Sequence, residues 1–455
     1  MTKTEFRAAA SIGLLYIVRM LGLFMVLPVL PVSGEVQSAS PLLIGLALGV
    51  YGLSQALLQI PLGLLSDRIG RKPVILGGLV MFVAGSIVAG ASGHIFGIIV
   101  GRLLQGCGAI ASTLLALVSD VTSIENRSKA MAIVGISIGG SFGLALILGP
   151  LIANLGGLPA VFYFTAGAGL VGIVVVLTVL PNPTVRSHNP ESSLTPRFIT
   201  DVLANADLRR TTASVFMLHY LLMSSFIVLP VLLSQTGVEH DNLHWVYFGL
   251  LAFSFLLMTP LMWIADKPKN VRPLLLGMIG IFVGSQLLLT VETELLSVLS
   301  SLLLFFMAFN LLEVILPALV SKTSRAGQRG TGMGIYSTSQ FAGGFAGGAL
   351  GGAILAASDI THLLWANALA CAIWFIYLYG ISQPRNYKTI ACRVATSGNM
   401  SASAVADALL SVGGVEDVAF MDDDRLAYLK VDEDIYDDEA LSRFGDSLVV
   451  TRIQK

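Results

Sequence analysis

Four ionisable residues lie within stretches that are otherwise apolar: Arg19, Arg102, His219 and Glu313. Charged side chains at membrane depth are costly and usually functional. Because arginine stays protonated, Arg19 and Arg102 are expected to hold an anion, orient a polar group or tune a neighbour. Glu313 is the leading candidate for a proton site, unless it pairs with a basic residue near the membrane surface. His219 can titrate as well, or serve as a hydrogen-bonded packing residue.

A second group of charges lies in residues 63–73, GLLSDRIGRKP, although only 12% of the chain is charged. Arg68, Arg71 and Lys72 can act as topology anchors. Asp67 needs another explanation, because an acid adds little to the topology signal. A carboxylate at a helix end is stabilised by the N-terminus of another helix, by up to about 2 kcal/mol when partly buried.

The elements that position these residues are long apolar runs. The chain has 455 residues, 55% of them hydrophobic, and a mean hydropathy of +0.81. Runs of about 20 residues can cross a hydrocarbon core as helices. Twelve such runs are centred near Met20, Leu53, Met81, Gly108, Ser141, Gly169, Leu222, Ala252, Ile281, Phe306, Phe345 and Trp374. The sequence therefore predicts an all-α membrane domain of 12 transmembrane helices.

Lysine and arginine alternate between the loops of this domain. They occur near both termini and in the even-numbered loops, and they are missing from the odd-numbered loops. The positive-inside rule then predicts that both termini and the even-numbered loops are cytoplasmic. The expected location is the inner (plasma) membrane, crossed many times. Residues 63–73 form the loop between helices 2 and 3.

The two halves of the chain resemble each other at an offset of 202 residues. FMVLPVLP, from Phe24, matches FIVLPVLL, from Phe226. ALVSDVTSIENRSKAMAI, from Ala116, aligns without a gap on ALVSKTSRAGQRGTGMGI, from Ala318. Two matches at one offset predict a duplicated six-helix unit. The predicted domains are a six-helix bundle at 1–180, a cytoplasmic linker at 181–208, a second bundle at 209–384 and a small domain at 389–455.

These features resemble the major facilitator superfamily. The loop motif of that family, Gly-x-Leu-x-Asp-Arg-x-Gly-Arg-Lys, is matched at Gly63, Leu65, Asp67, Arg68, Gly70, Arg71 and Lys72. LGLFMVLPVLP, from Leu21, resembles the first-helix motif of the twelve-helix drug/proton antiporters, and GRLLQGCGA, from Gly101, resembles the fourth-helix motif. The fifth-helix antiporter motif is only partly present, since Ala145 and Ala153-Asn154 replace expected glycines.

The resemblance implies roles for the residues named above. It places helix 2 beside helix 11, whose start, from Gly330, is rich in glycine. We therefore expect Asp67 to dock on that helix start, and Arg71 to bridge Asp67 to Asp120. This latch would favour the outward-facing state. The resemblance also implies that helices 1, 4, 7 and 10 line the central cavity, and each of them carries one of the four buried ionisable residues.

The last 67 residues differ in character from the rest. Residues 389–455 carry a net charge of −7, whereas the preceding part carries +6. Their pattern predicts strands and helices in the order βαββαβ, a ferredoxin-like α+β domain. It resembles heavy-metal-associated domains, but Gly398 and Ser401 occupy the Cys-x-x-Cys positions, so no metal is expected. The acidic residues are explained most simply as a solvated surface. A sharper hypothesis is that the acidic domain docks on the basic cytoplasmic face as a regulator.

Together these features predict a proton-coupled secondary transporter, an efflux antiporter for small and mostly apolar compounds. The expected partners are a small-molecule substrate, protons and the lipid bilayer, and the expected state is a monomer that binds no nucleic acid. Without a phosphate loop, a nucleophile–base pair or metal-ligand spacing, neither an enzyme nor a cofactor is expected. Two alternatives stay open: a facilitator or symporter for polar solutes such as sugars, and a membrane sensor that does not transport.

Overall fold

The apolar runs of the chain form α-helices in the computed structural model. It describes residues 1–36, 38–123, 126–181, 195–291, 294–383, 385–396, 402–421, 426–437 and 448–452. Residues 182–194 of the predicted linker, and nearly all of the helix predicted at 437–445, lie outside the described residues. So do Gly398 and Ser401.

The helices of the first half follow the predicted spans closely. They are α1 (Lys3–Phe24), α2 (Pro41–Ile69), α3 (Arg71–Gly90), α4 (Ile95–Cys107), α5 (Ala111–Val121) and α6 (Arg127–Thr178). The fourth predicted span consists of two helices, because the backbone leaves the helical conformation at Gly108 and Ile110. Tyr16 of α1 donates its hydroxyl proton to the carbonyl oxygen of Ala111 at this break, 2.6 Å away. The break is therefore held against the first helix.

Helix α6 has 52 residues and contains an internal break. A straight helix of that length would measure about 78 Å, more than twice the hydrocarbon thickness of a bilayer. Gly156 and Gly157 have non-helical backbone angles, and the φ of Gly157 is +67°, a value that favours glycine. The loop predicted around Gly157 corresponds to this two-residue break.

The helices of the second half are α7 (Ile199–Ala204), α8 (Ala206–Phe226), α9 (Leu229–Gln235), α10 (Leu243–Ala265), α11 (Pro268–Val291), α12 (Leu295–Thr323), α13 (Arg329–Ala357) and α14 (Ile360–Tyr379). In the part of the chain that the structure describes, eleven helical segments are long and apolar enough to cross a membrane. The broken segment Lys129–Thr178 is one of these eleven, whereas the sequence predicts two spans there. A mostly helical membrane fold is thus confirmed.

Helices α2 and α13 form the main contact between the two halves, and glycines permit it. A Cβ on Gly45, Gly49 or Gly52 of α2 would meet the backbone of α13 within van der Waals distance. On the other face of α13, Gly343 and Gly347 lie against the backbone of α8. Helix α13 is therefore packed closely on both sides.

The end of the chain forms a sheet with one described helix. Its strands are β1 (Tyr387–Thr396), β2 (Val415–Met421), β3 (Leu426–Asp432) and β4 (Leu448–Arg452), and α15 (Ala402–Leu410) lies between β1 and β2. The strand order is β2-β3-β1-β4, and all three pairings are antiparallel. The four predicted strands are therefore confirmed.

Candidate functional site

The charged loop between α2 and α3 forms a compact ionic cluster around Arg71. Gly70 has a φ of +104°, which lets α2 end and α3 begin at once with Arg71. Nη1 of Arg71 lies 2.5 Å from Oδ1 of Asp67 and donates to Oγ of Ser66 at 2.7 Å. Nε of Arg71 donates to Oδ2 of Asp120, at the end of α5, at 3.0 Å. One guanidinium thus joins three helices.

The charged side chains of this cluster and loop differ in how far they are exposed. The side chains of Arg71 and Asp120 are only 8% and 1% exposed, and Asp67 is 18% exposed. Arg68 is exposed and Lys72 is half-buried. Charge-assisted hydrogen bonds are stronger away from water, so the Arg71–Asp120 contact is the one that matters most for holding α3 to α5.

Asp67 also faces the start of α13 across a small cavity of about 50 Å³. Gly63 and Asp67 of α2, Ser112 of α5 and Gly330 of α13 are among its lining residues. In the described part of the chain, no hydrogen bond joins Asp67 to the backbone of Gly330 or Thr331. Docking of Asp67 on the helix start stays a prediction, and this conformation has a gap at that place.

A second polar cluster joins three helices of the second half: Glu313 of α12, Gln340 of α13 and His219 of α8. Nε2 of Gln340 donates to Oε1 of Glu313 at 3.0 Å and lies 2.8 Å from Nε2 of His219. The other ring nitrogen of His219, Nδ1, lies 3.2 Å from the carbonyl oxygen of Val215. Both contacts are satisfied by a neutral imidazole that carries its proton on Nδ1 and accepts from Gln340 at Nε2.

The remaining carboxylate oxygen of this cluster, Oε2 of Glu313, is buried and has no hydrogen-bond partner in the described residues. Nε2 of His219 is its nearest basic atom, at 3.8 Å. The hydroxyl group of buried Tyr336, one helical turn before Gln340, also has no described partner. A proton bound at Oε2 would convert the only charged member of the cluster into a neutral donor.

Arg102 uses its donors to hold the end of the first helix. Its guanidinium donates to the carbonyl oxygens of Gly22, Leu23 and Ala47 and to the side chain of Gln105, at 2.6 to 3.3 Å. Arg102 is fully buried, and these are mostly backbone acceptors. These contacts indicate that Arg102 has a structural function. Of the three functions expected for it, orienting neighbouring polar groups fits best.

Arg19 has a very different environment. It is 1% exposed, and its Nη2 donates to Oε1 of Gln55 on α2 at 2.7 Å. The four ionisable residues at membrane depth thus form two groups. Arg19 and Arg102 bind partners in the first half, whereas His219 and Glu313 bind partners in the second. In the described chain no ion pair crosses between the groups.

Aromatic rings fill the space where the two halves meet. Phe142 of α6 lies 5.0 Å from Phe24 of α1 and 5.1 Å from Phe309 of α12, measured between ring centroids. Phe309 in turn lies 5.8 Å from the ring of His219. A continuous apolar contact therefore leads from the first helix to the Glu313 cluster.

The sheet domain touches the helical domain at the end of α12. Nζ of Lys430 donates to the carbonyl oxygens of Thr323 and Ser324, at 3.2 and 3.0 Å. Asp417 accepts from the backbone N–H of Ala326 at 2.9 Å. A cation at the last carbonyls of a helix is a favourable arrangement.

Comparison with known proteins settles the family. The family model described as the Major Facilitator Superfamily matches residues 12–310 and 211–392. The chain belongs to the major facilitator superfamily. As a superfamily member it is a membrane transporter that handles small molecules, which confirms the broad prediction.

The superfamily relatives range from close to distant. The inner membrane transport protein YajR of Escherichia coli (strain K12) is 40% identical over 439 residues, 96% of each chain. Multidrug resistance protein 2 of Bacillus subtilis (strain 168) is 27% identical over 215 residues, 45% of this chain and 51% of that protein. The crystal structure of a bacterial homologue of the human lysosomal transporter Spinster, inward-facing and occupied, has a TM-score of 0.68. It is 12% identical and covers 84% of this chain and 98% of that one.

Proposed function

We propose that this protein is a proton-coupled antiporter that exports small, mostly apolar compounds by alternating access. The observation that carries the proposal is the cluster of Glu313, Gln340 and His219. It brings together a titratable carboxylate, an amide and an imidazole from three helices, which is an arrangement suited to a proton carrier. The resistance function named for the Bacillus relative is consistent with export.

Protonation of Glu313 changes a contact on the helix that joins the two halves. Gln340, which donates to Glu313, lies on α13, and the same helix packs through glycines against α2. When Oε2 takes up a proton, the attraction between the carboxylate and the Gln340 N–H weakens. A two-state interface responds to such a local change by shifting its populations.

The ionic cluster at Arg71 acts as the latch in the same cycle. Asp67 and Gly330 line one cavity, so closing that cavity would bring the carboxylate to the start of α13. The free N–H groups there favour an anion. Arg71 keeps Asp67 in position while Asp120 fixes Arg71. In this mechanism the contact between Asp67 and the start of α13 forms in the outward-facing state. In the conformation described above, the ion pairs of Arg71 are intact and a cavity separates Asp67 from Gly330.

The topology in this proposal has twelve crossings, the two parts of α6 on either side of Gly157 being the fifth and sixth. Both termini and the even-numbered loops are cytoplasmic, as the distribution of lysine and arginine favours. The protein lies in the inner membrane as a monomer, the location named for the Escherichia coli relative.

The C-terminal domain is proposed to be ferredoxin-like and to dock on the cytoplasmic face as a regulator. The strand order β2-β3-β1-β4 is the order expected of a βαββαβ fold. The contacts of Lys430 and Asp417 with residues 323–326 support docking. These residues come shortly before α13, so the domain contacts the segment that connects α12 to α13.

The test is substrate-dependent proton movement in proteoliposomes with an imposed pH gradient, for a panel of lipophilic cations, neutral compounds and carboxylates. Glu313→Gln should lower coupled proton flux at least about tenfold, because the carrier is lost. Glu294→Gln, the same change at the exposed start of α12, is the matched control and should keep wild-type flux. Flux without protons would indicate a facilitator, and folded protein without any flux would indicate a sensor.

A further inference from the structure

Two buried arginines of the first half differ in how their donors are used. Every guanidinium nitrogen of Arg102 donates to at least one acceptor. In Arg19 only Nη2 has a partner, the amide oxygen of Gln55. Nε and Nη1 of Arg19, and Nε2 of Gln55, are buried without any acceptor in the described residues. Arg19 and Gln55, which we call the donor pair, thus have three buried nitrogen atoms without an acceptor in the described residues.

The donor pair has an electrostatic requirement that the described protein atoms do not meet. A guanidinium group can only donate hydrogen bonds, and it keeps its positive charge. A buried charge without a partner is strongly destabilising. No described carboxylate forms an ion pair with Arg19. Asp67 and Asp120 bind Arg71, and Glu313 binds Gln340. An acceptor with negative charge would meet this requirement.

We propose that Arg19 and Gln55 bind the carboxylate of a small organic anion, and that such anions are the substrates of this transporter. The proposal rests on the transport function above and narrows its substrate class. Charge-assisted hydrogen bonds from a guanidinium to a carboxylate are short and strong away from water. The amide N–H groups of Gln55 add donors to the same oxygen atoms.

Aromatic rings near the same end of α1 suit an apolar body for the anion. Phe24 lies a little more than one helical turn beyond Arg19 on α1. Its ring contacts Phe142, which reaches Phe306 and Phe309 of α12. An aromatic or alkyl body suits these rings, and the polar head suits the donor pair. Amphipathic monocarboxylates combine both properties.

The first experiment measures binding without requiring transport. The full chain, purified in detergent, is heated with benzoate or hexanoate, and in parallel with uncharged benzamide or cationic benzylamine. The two carboxylates should raise the melting temperature with increasing concentration, whereas benzamide and benzylamine should not. Equal shifts for benzoate and benzamide would overturn the proposal, because the charge would then play no part.

Variants locate the effect at the donor pair. Arg19→Gln should weaken benzoate binding at least about tenfold, as expected for loss of a charged hydrogen-bond donor. Arg19→Lys should keep part of the affinity, and it serves in place of Arg19→Gln if that variant does not fold. Arg209→Gln removes an exposed arginine of α8 and should bind benzoate as the wild type does. Undiminished benzoate binding by the Arg19 variants would overturn the proposal.

A second property distinguishes a binding residue from a structural one. Without any carboxylate, Arg19→Gln should melt at or above the wild-type temperature, because it removes a buried charge that lacks a partner. A much lower melting temperature, with Arg19→Lys restoring it, would mean that Arg19 supports the fold and would contradict the proposal.

The flux assay separates this proposal from the function on which it rests. Arg19-dependent benzoate binding without proton-coupled flux would keep the anion site and remove the antiport function. Proton-coupled flux of a cation, with no Arg19-dependent binding of benzoate or hexanoate, would keep antiport and overturn the anion site.

Discussion

Gly45 of α2 and Gly348 of α13 approach each other so closely that neither could carry a side chain. A Cβ on Gly45 would overlap the carbonyl oxygen of Gly348, and a Cβ on Gly348 would overlap the carbonyl oxygen of Gly45. The two residues belong to different halves of the chain. This contact lies towards the end of the bundle opposite the Arg71 cluster, and it is closed in this conformation.

Gly348→Ala should therefore weaken closure at that end and increase the population of the state that is open there. The added methyl group meets backbone atoms, which cannot rotate away as a side chain can. Spin labels would be attached at exposed Ser38 and Ser358 in a variant without native cysteines. Double electron–electron resonance would then measure the distance between the labels, and the open state corresponds to the longer distance.

Two other glycines provide controls for this measurement. Gly347→Ala meets the backbone of Tyr220 within the second half, so it should lower stability without favouring either state. Gly77→Ala has open space around its Cβ and should change neither property. If Gly348→Ala leaves the distance distribution unchanged, the contact does not control closure.

Arg71→Gln should destabilise the protein by as much as about 3 kcal/mol, because Asp120 would lose its guanidinium partner in a buried place. Arg71→Lys should recover only part of this, since an ammonium group does not reproduce the directions of the guanidinium donors. Thermal unfolding in detergent measures the effect. Exposed Arg68→Gln, within the same loop, should cost much less, and equal losses for the two variants would contradict the assigned importance of the Arg71–Asp120 contact.

Lys430→Ala should release the C-terminal domain from the end of α12. The variant loses two hydrogen bonds to helix carbonyls, together about 1–3 kcal/mol of docking free energy. Hydrogen exchange of the backbone amides of residues 323–327 should become faster. Lys388→Ala is the matched control, because Lys388 pairs with Glu433 inside the domain. Unchanged exchange in Lys430→Ala would mean that the contact does not hold the domain in place.

The sequence was sufficient for those features that depend on composition along the chain. Apolar runs of about 20 residues predict spans because only a helix satisfies its own backbone in lipid. Alternating apolar residues predicted the four strands of the last domain, because successive side chains of a strand face opposite sides of the sheet. The break between α4 and α5 was not predicted, since a single Gly108 in an apolar run is equally compatible with a continuous helix.

The polar contacts were beyond sequence reasoning because they depend on atoms brought from distant segments. Arg19 and Arg102 are the same residue type in similar apolar runs. They differ because the carbonyl groups of Gly22, Leu23 and Ala47 surround only Arg102. Gln340 was missed for another reason. Placing an uncharged amide at membrane depth costs much less free energy than placing a charge there, so its position in the sequence did not stand out, although it connects Glu313 to His219.

The most direct test of the account follows the conformational equilibrium as a function of pH. The Ser38–Ser358 distance distribution would be measured in nanodiscs, for the wild type and for Glu313→Gln, which imitates the protonated carboxyl group. We predict that the populations of the short and long distances in the wild type change between about pH 6 and pH 8, because a proton carrier titrates near its working pH. Glu313→Gln should stay at the low-pH distribution throughout. An equal pH dependence in the variant, or none in the wild type, would contradict proton coupling through Glu313.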